Sequence, residues 1–214
     1  MTMPVPTPVY RIIYLANLDT ILRRGGMHAP NHVPDDGLQY RTIHNVDIQN
    51  ERHVRRVPCG ARGTLHNYVP FYFGYLSPML FQLKTNRVPG YIEGQQPLVY
   101  LVSTVQAVAG AGHAFVFSNG HGIAAYTEWF DDVAHLGEVD WDMVYQRYWS
   151  DNMNDMDRQR RKQAEFLVHR FCPWTLVQEI GVMSDAAKIR VEAILSRFDA
   201  SLDRPVNIQS AWYY

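Results

Sequence analysis

Residues 9–15, VYRIIYL, form an almost continuous run of β-branched and aromatic side chains, the pattern of a buried strand. The following ANLDTILRRGG sets Leu18, Ile21 and Leu22 on one helical face, and Gly25-Gly26 stop it, so the spacing predicts a short helix after the first strand. From Met27 to Gly63 neither a period of 2 nor one of 3.6 persists. This stretch reads as a loop region with a helical turn or more near 47–55, and irregular chain of such length in a compact domain is commonly functional.

Patterning resumes with LHNYVPFYFG, an aromatic strand whose Pro70 argues for an edge or a bulge. LSPMLFQLKTN predicts a helix with Pro78 in its first turn. LVYLVSTVQAVAGAG predicts a buried strand and a short helix, HAFVFSNGHG a strand closed by a turn, and WDMVYQRYW a helix. The polar SDNMNDMDRQRRKQ precedes the strand AEFLVHRF; PWTLVQEIGVMS predicts another strand after a turn. DAAKIRVEAILSRF predicts an Asp-capped helix with apolar Ile189, Ile194 and Leu195, and PVNIQSAWYY ends the chain. Strands and helices mix without regular βαβ alternation, which favours an α+β fold over a doubly wound sheet. With 214 residues and 47% apolar content, one domain over 1–214 is the expectation.

One polar position breaks the apolar pattern. In the strand at 164–169, alternation sends Ala164, Phe166 and Val168 to one face and Glu165, Leu167 and His169 to the other. A carboxylate there is either a solvated or salt-bridged surface group or a functional one.

Charge narrows the alternatives. Lys and Arg number 20 against 21 Asp and Glu, a net charge of −1, so any electrostatic site must be local. Two stretches hold cations and no acid: 52–62, with Arg52, Arg55, Arg56 and Arg62, and 158–162, with Arg158, Arg160, Arg161 and Lys162. Each is either a solvated run or a phosphate-binding rim, and the aromatics of HNYVPFYFGY would supply stacking partners. Walker, GxGxxG, G-x-S-x-G and HExxH signatures are missing, and the histidines, among them His28, His32, His113 and His121, lack companions at ligand spacing, so no metal is expected. Cys59 and Cys172 match no disulfide or metal framework, no run approaches a membrane span, and the first ten residues do not read as a secretory signal. A cytoplasmic protein is expected.

The segments PVYRIIYLANLDTIL, IQNERHVRRVP, LHNYVPFYFGYLSPML, PLVYLVSTVQAV, RKQAEFLV and the terminal WYY, in that order, resemble the DarT family of DNA ADP-ribosyltransferase toxins. The resemblance implies a mixed fold of the diphtheria-toxin and poly(ADP-ribose) polymerase type, with two packed, mainly antiparallel sheets and NAD in a cleft between them. It also implies transfer of ADP-ribose to a base of single-stranded DNA, thymine ahead of guanine, without a metal, and pairing with a macrodomain antitoxin. Glu165 falls at the family's catalytic glutamate. Breaking the nicotinamide glycosidic bond builds positive charge on the ribose, and a carboxylate held at its 2′-hydroxyl stabilises that charge. Arg52 falls at the family's loop arginine, proposed to assist the incoming base by favouring its anion.

The same resemblance makes Arg11, Ile13, Asn17, Tyr72 and His121 candidate NAD contacts, and Arg55, Arg56, Met79, Arg158, Arg160 and Arg161 candidate DNA contacts. Relatives read YHITH in the first strand where this chain has Tyr10-Arg11-Ile12-Ile13-Tyr14. Arg11 then resembles the arginines with which other ADP-ribosyltransferases hold NAD. The altered strand leaves open a catalytically silent nucleic-acid-binding module on the same fold, and an enzyme acting on RNA or protein is a third reading.

Overall fold

A computed structural model describes residues 2–214. Its elements in chain order are β1 (Pro8–Tyr14), α1 (Asn17–Arg23), β2 (Gly26–His28), α2 (Val46–Val54), β3 (Tyr68–Tyr72), α3 (Pro78–Lys84), β4 (Leu98–Thr104), α4 (Val105–Gly110), β5 (Phe115–Ser118), β6 (Trp129–Phe130), α5 (Trp141–Tyr145), α6 (Arg158–Lys162), β7 (Glu165–His169), β8 (Phe171–Pro173), β9 (Glu179–Val182), α7 (Asp185–Leu195) and β10 (Val206–Ile208). The expected α+β class is borne out.

The strands run in the order β10-β9-β4-β1-β3-β7-β5-β6, antiparallel except for β10 against β9, and β2 pairs with β8 in a separate ribbon. Two halves are visible in the register. β1 pairs with β4 along its full length, from Pro8↔Thr104 to Tyr14↔Leu98, and β3 pairs with β7 from Tyr68↔His169 to Tyr72↔Glu165. Between the halves, β1 and β3 meet in register only at Tyr10↔Tyr72. The two expected sheets are thus hinged at one point and open into a cleft elsewhere.

Pro70 sits beside that opening. Its carbonyl accepts a hydrogen bond from Arg11 across the cleft, and because N and C=O of a strand residue point the same way, its missing N–H would also have faced the gap. The ladder therefore forfeits no bond at this proline.

Side-chain alternation distributes the core. Val9 and Ile13 of β1 join one apolar cluster with Phe166, Val168 and Ala164, whereas Tyr10 and Ile12 join a second with Tyr100 and Val102; Leu167 packs in a third. The predicted two faces of 164–169 are therefore observed. β4, buried at every position, explains the uninterrupted run LVYLVST.

Four local readings change. α7 is capped by the Ser184 hydroxyl, which accepts from the Ala187 N–H, and not by Asp185, because the extended backbone lies at Ser184. Ile189 is 66% exposed; the helix buries Ala187, Val191, Ile194 and Leu195 instead. The polar stretch before β7 contains α6, whose helical pattern no apolar periodicity announces. The helix from Trp141 stops at Tyr145, short of Arg147.

Candidate active site

Glu165 opens β7 opposite Tyr72, itself opposite Tyr10, so one row crosses the hinge between the sheet halves. The glutamate is 2% exposed. Arg52 reaches it from α2, a helix capped by the Asn45 side chain, which accepts from the Asp47 and Ile48 N–H groups. Arg52 is the only buried residue of that helix. Its guanidinium grips the carboxylate in two parallel bonds, Nη1 to Oε1 at 2.9 Å and Nη2 to Oε2 at 2.8 Å. The Gly122 N–H adds a third, 3.1 Å from Oε1.

The NGHG turn after β5 makes that approach possible. A Cβ on Gly122 would lie 3.2 Å from Glu165 Oε1, and one on Gly120 would lie 2.3 Å from Arg160 Nη1, so both positions favour glycine. The Ser118 hydroxyl accepts from the Glu165 N–H at 3.3 Å and donates to the Gly120 carbonyl at 2.7 Å. The turn and the glutamate are fixed together.

Burial would push the Glu165 carboxyl up, but the Arg52 charge and its hydrogen bonds outweigh it and hold the pKa below the ordinary value. Burial likewise works against the Arg52 cation, and Glu165 more than restores it. Burial pulls His121 below its usual pKa, with Glu165 and Arg52 opposing each other around it, so its imidazole is neutral near pH 7. An ionised carboxylate offers about four acceptor sites. With Nη1, Nη2 and Gly122 N bound, one acceptor site remains, on Oε2.

This centre forms part of the wall of a cavity of about 650 Å³ in the cleft, within the size range of small-molecule sites. Arg11, Ile13, Asn17, Tyr72 and His121, the expected NAD contacts, all line it, as do Met79, Arg52 and Glu165. Arg11 donates from Nη1 to the Pro70 carbonyl at 2.8 Å, while its buried Nε has no partner. Burial lowers the Arg11 pKa and Arg52 adds repulsion; among the described residues no carboxylate forms an ion pair with it. A half-buried cation whose buried Nε is orphaned fits a ligand carrying phosphate or ribose oxygens.

Asn17 acts one step back. Its amide donates to the Arg41 carbonyl at 2.9 Å and accepts from the Arg41 N–H at 2.8 Å. The Arg41 side chain pairs with Glu93 and lies over the Tyr14 ring, whose hydroxyl donates to Glu93 at 2.6 Å. Thus Tyr14 helps tie residues 40–45 over the cavity they line. The aperiodic stretch gave no residue-level signal for this cover, nor for His44 or Gln49; its length was the only hint.

The two cationic stretches part company here. Arg56 is exposed, and Arg55, half-buried, donates to the Ala124 carbonyl at 2.7 Å; both border a second, smaller hollow with Ile123. The stretch 158–162, acid-free in sequence, is not so in space. Arg160 grips Asp157 through Nε and Nη2 at 2.7 and 2.6 Å and reaches Asn119 at 3.0 Å. Arg161 pairs with Asp140, Asp155 and Asp157, and Arg158 donates to the carbonyls of Ser150 and Tyr148. Lys162, 2% exposed, donates to the Val144 and Gln146 carbonyls at 2.7 Å each, closing the end of α5. The reading of 158–162 as an unopposed run changes for Arg160 and Arg161, which aspartates outside the run oppose, whereas Arg158 and Lys162 meet backbone carbonyls. The Arg160 carbonyl accepts from the His121 N–H at 2.9 Å, so α6 braces the turn behind Glu165.

Among the described residues no group of His, Cys, Asp or Glu could hold a metal ion, and no helix is long and apolar enough to cross a membrane.

Comparison with known proteins agrees over the whole chain. The family described as "ssDNA thymidine ADP-ribosyltransferase, DarT" matches residues 10–214. Proteins named DNA ADP-ribosyl transferase from Thermus sp. (strain 2.9) and Thermus aquaticus are 39% and 40% identical, over 100% of this chain and 99% and 92% of their own lengths. One from Escherichia coli O127:H6 is 30% identical over 99% of this chain and 95% of its own. The solved structure of Thermus sp. 2.9 DarT in complex with ADP-ribosylated ssDNA superposes with a TM-score of 0.93 at 38% identity, covering 100% of this chain and 99% of that one. The NAD+ complex of the same protein gives 0.89, with both chains covered in full. This chain belongs to the DarT family of DNA ADP-ribosyltransferases.

Proposed function

We propose that this chain, acting as one catalytic unit over 1–214, transfers ADP-ribose from NAD to thymine in a sequence-selective manner on single-stranded DNA, releasing nicotinamide. The observation that carries the reading is the Glu165–Arg52 pair at the wall of a cavity with an unpartnered Arg11 donor. Relatives whose structures hold NAD+ and ADP-ribosylated ssDNA share the fold and the length of the chain.

The residues divide the work as follows. Arg11 binds the phosphate or ribose oxygens of NAD, and Ile13, Tyr72 and His121 enclose the dinucleotide. Asn17 holds the cover at Arg41. The remaining acceptor site on Glu165 Oε2 takes the ribose 2′-hydroxyl, so the carboxylate faces the sugar as the glycosidic bond breaks and positive charge grows there. Arg52 fixes the carboxylate and places a permanent cation beside the incoming base. A thymine imide nitrogen is a poor nucleophile while protonated, and that cation favours its anion. The guanidinium assists electrostatically and does not itself take the proton, which passes to solvent as the bond from the imide nitrogen to the ribose carbon forms and the nicotinamide bond breaks. Met79, Arg55 and Arg56 contact the DNA; Arg158, Arg160 and Arg161 brace the site.

In the cell this activity makes the chain the toxin of a pair, with a macrodomain antitoxin removing the mark, in a reducing cytoplasm that suits the unpaired Cys59 and Cys172. The test is incubation with NAD and DNA oligonucleotides that differ in one base type, beside RNA counterparts, followed by intact-mass analysis. A gain of one ADP-ribose unit confined to thymine-containing DNA is expected. A gain on guanine or on RNA would overturn the substrate assignment, and no gain on any pool would overturn the activity.

A further inference from the structure

Among the described residues four histidines line the cavity, and burial holds each of them below the ordinary imidazole pKa, neutral near pH 7. They differ in the charge each one meets. His28 answers to Arg24 and Asp36, away from the reacting centre, and His44 answers to Arg11. His121 has Glu165 as its strongest electrostatic neighbour. For His66 the neighbours are Arg52, then His53 and His44, with no carboxylate among them.

His66 sits in a single 3₁₀ turn, Leu65–Asn67, just before β3, closed by a capping box in which the Asn67 side chain accepts from the Thr64 N–H at 2.8 Å. The turn packs against α2. Gln49, Arg52 and His53, spaced i, i+3 and i+4, share one face of that helix. His66 meets two of them directly: its Nε2 lies 3.1 Å from Gln49 Oε1, and its ring centroid lies 5.3 Å from that of His53, edge to face. Leu65 comes within 3.3 Å of where a Cβ on Gly122 would stand, so the same turn reaches the loop that bonds Glu165. Because Gln49 Oε1 can only accept, Nε2 carries the proton of the neutral ring and Nδ1 is its basic nitrogen.

We infer that His66 is the general base that takes the imide proton of the reacting thymine. The inference rests on the reading above, which sets Arg52 beside the incoming base. As the imide nitrogen bonds to the ribose carbon, its proton moves to His66 Nδ1. The bond from that carbon to nicotinamide breaks with its electron pair returning to the pyridinium ring, and neutral nicotinamide leaves. His66 then gives one proton to solvent on the side of exposed His53. The Arg52 charge serves both stages: it makes the imide more acidic, and it repels the proton from His66 once the new bond has formed. His121 is the poorer acceptor, because a proton taken beside Glu165 would offset the charge on which the ribose cation depends.

The experiment follows single-turnover transfer to a thymine-containing oligonucleotide from about pH 5 to about pH 9, at saturating NAD and DNA, with parent protein and His66→Gln. Glutamine keeps a donor toward Gln49 and offers no base. The parent rate should fall as pH drops through the His66 pKa, which lies below the ordinary imidazole value and above the depressed Glu165 value. His66→Gln should be slower by at least about a hundredfold near pH 7, should lose that descent, and should recover in part when imidazole is added. Near-ultraviolet circular dichroism matched to the parent shows the variant to be folded, and His66→Asn takes its place if it is not. A folded variant with a rate near the parent's would overturn the inference. So would a slower variant that keeps the descent and ignores imidazole, which would make His66 a positioning residue for Arg52. A parent that adds no ADP-ribose to thymine would sink the proposed function and this inference with it, so the two failures are told apart.

Discussion

The stretches 52–56 and 158–162 look alike as sequence, each a knot of cations without an acid, and the fold uses them in opposite ways. In the first, Arg52 turns inward to a single carboxylate at the cavity wall while Arg56 stays free in solvent. In the second, Asp140, Asp155 and Asp157 converge on Arg160 and Arg161, and Lys162 is buried against two carbonyls. Local charge counting sees neither the buried glutamate that the first stretch serves nor the aspartates that pair with Arg160 and Arg161 of the second. A cationic run is a site only after its tertiary partners are known.

The largest effect belongs to the inward arginine. Because Glu165 is buried, Glu165→Ala does more than remove a catalytic group: it leaves Arg52 as an unpaired buried cation, which costs about 3–5 kcal/mol. A solvated carboxylate, the other reading of this position from sequence, would cost little. Denaturant midpoints of parent and variant decide between them. The sign with pH follows from the depressed Glu165 pKa: the pair's stabilisation is present above the ordinary carboxylate range and is lost as pH falls through the lower folded value.

Next in size is Arg11. Arg11→Ala should weaken NAD binding by roughly ten- to a hundredfold, as expected for charged hydrogen bonds, with oligonucleotide affinity unchanged. Calorimetric titration with NAD checks this; equal affinity would return Arg11 to a structural role at Pro70.

Lys162 gives a sharper test of the second stretch. Burial pulls its pKa to about 7, and a neutral amine still supplies two N–H donors for its two carbonyls. Between about pH 7 and the ordinary lysine value the unfolded chain binds more protons than the folded one, so stability should rise with pH across that window. Lys162→Met should abolish that rise while costing about 1–3 kcal/mol for the carbonyls left unsatisfied. Urea melts at stepped pH read both.

The smallest effect compares the two stretches directly. Arg55→Ala/Arg56→Ala should flatten the salt dependence of oligonucleotide binding by roughly 0.7 for each phosphate that goes unpaired, whereas Arg158→Ala/Arg160→Ala should leave the slope unchanged and lower the melting temperature. The reverse pattern would exchange their roles.

Much of the fold was legible in the chain because burial leaves a period. β1, β4 and β7 follow from their apolar runs, and α1 and α3 from their faces and stop signals. α6 was hidden because its interior contacts are made by Arg160, Arg161 and Lys162, cations that no apolar template counts. The Ser184 cap differs from the Asp185 reading by one residue, a matter of where the extended backbone ends. At the site, the chemistry of Glu165 and Arg52 was readable only through family resemblance. Their mutual grip was not, since 113 positions separate them. The tie from Tyr14 through Glu93 to Arg41 was not legible, because Arg41 lies in aperiodic chain.

The central claim is that Glu165, charged and held by Arg52, drives ADP-ribose transfer. Glu165→Gln keeps the shape of the side chain and removes only its charge, so single-turnover transfer to a thymine-containing oligonucleotide, at saturating NAD and with the variant shown to be folded, isolates that charge. The account predicts a fall of at least about a hundredfold, the loss of one preorganised electrostatic group. Transfer near the parent rate by the folded variant would contradict it.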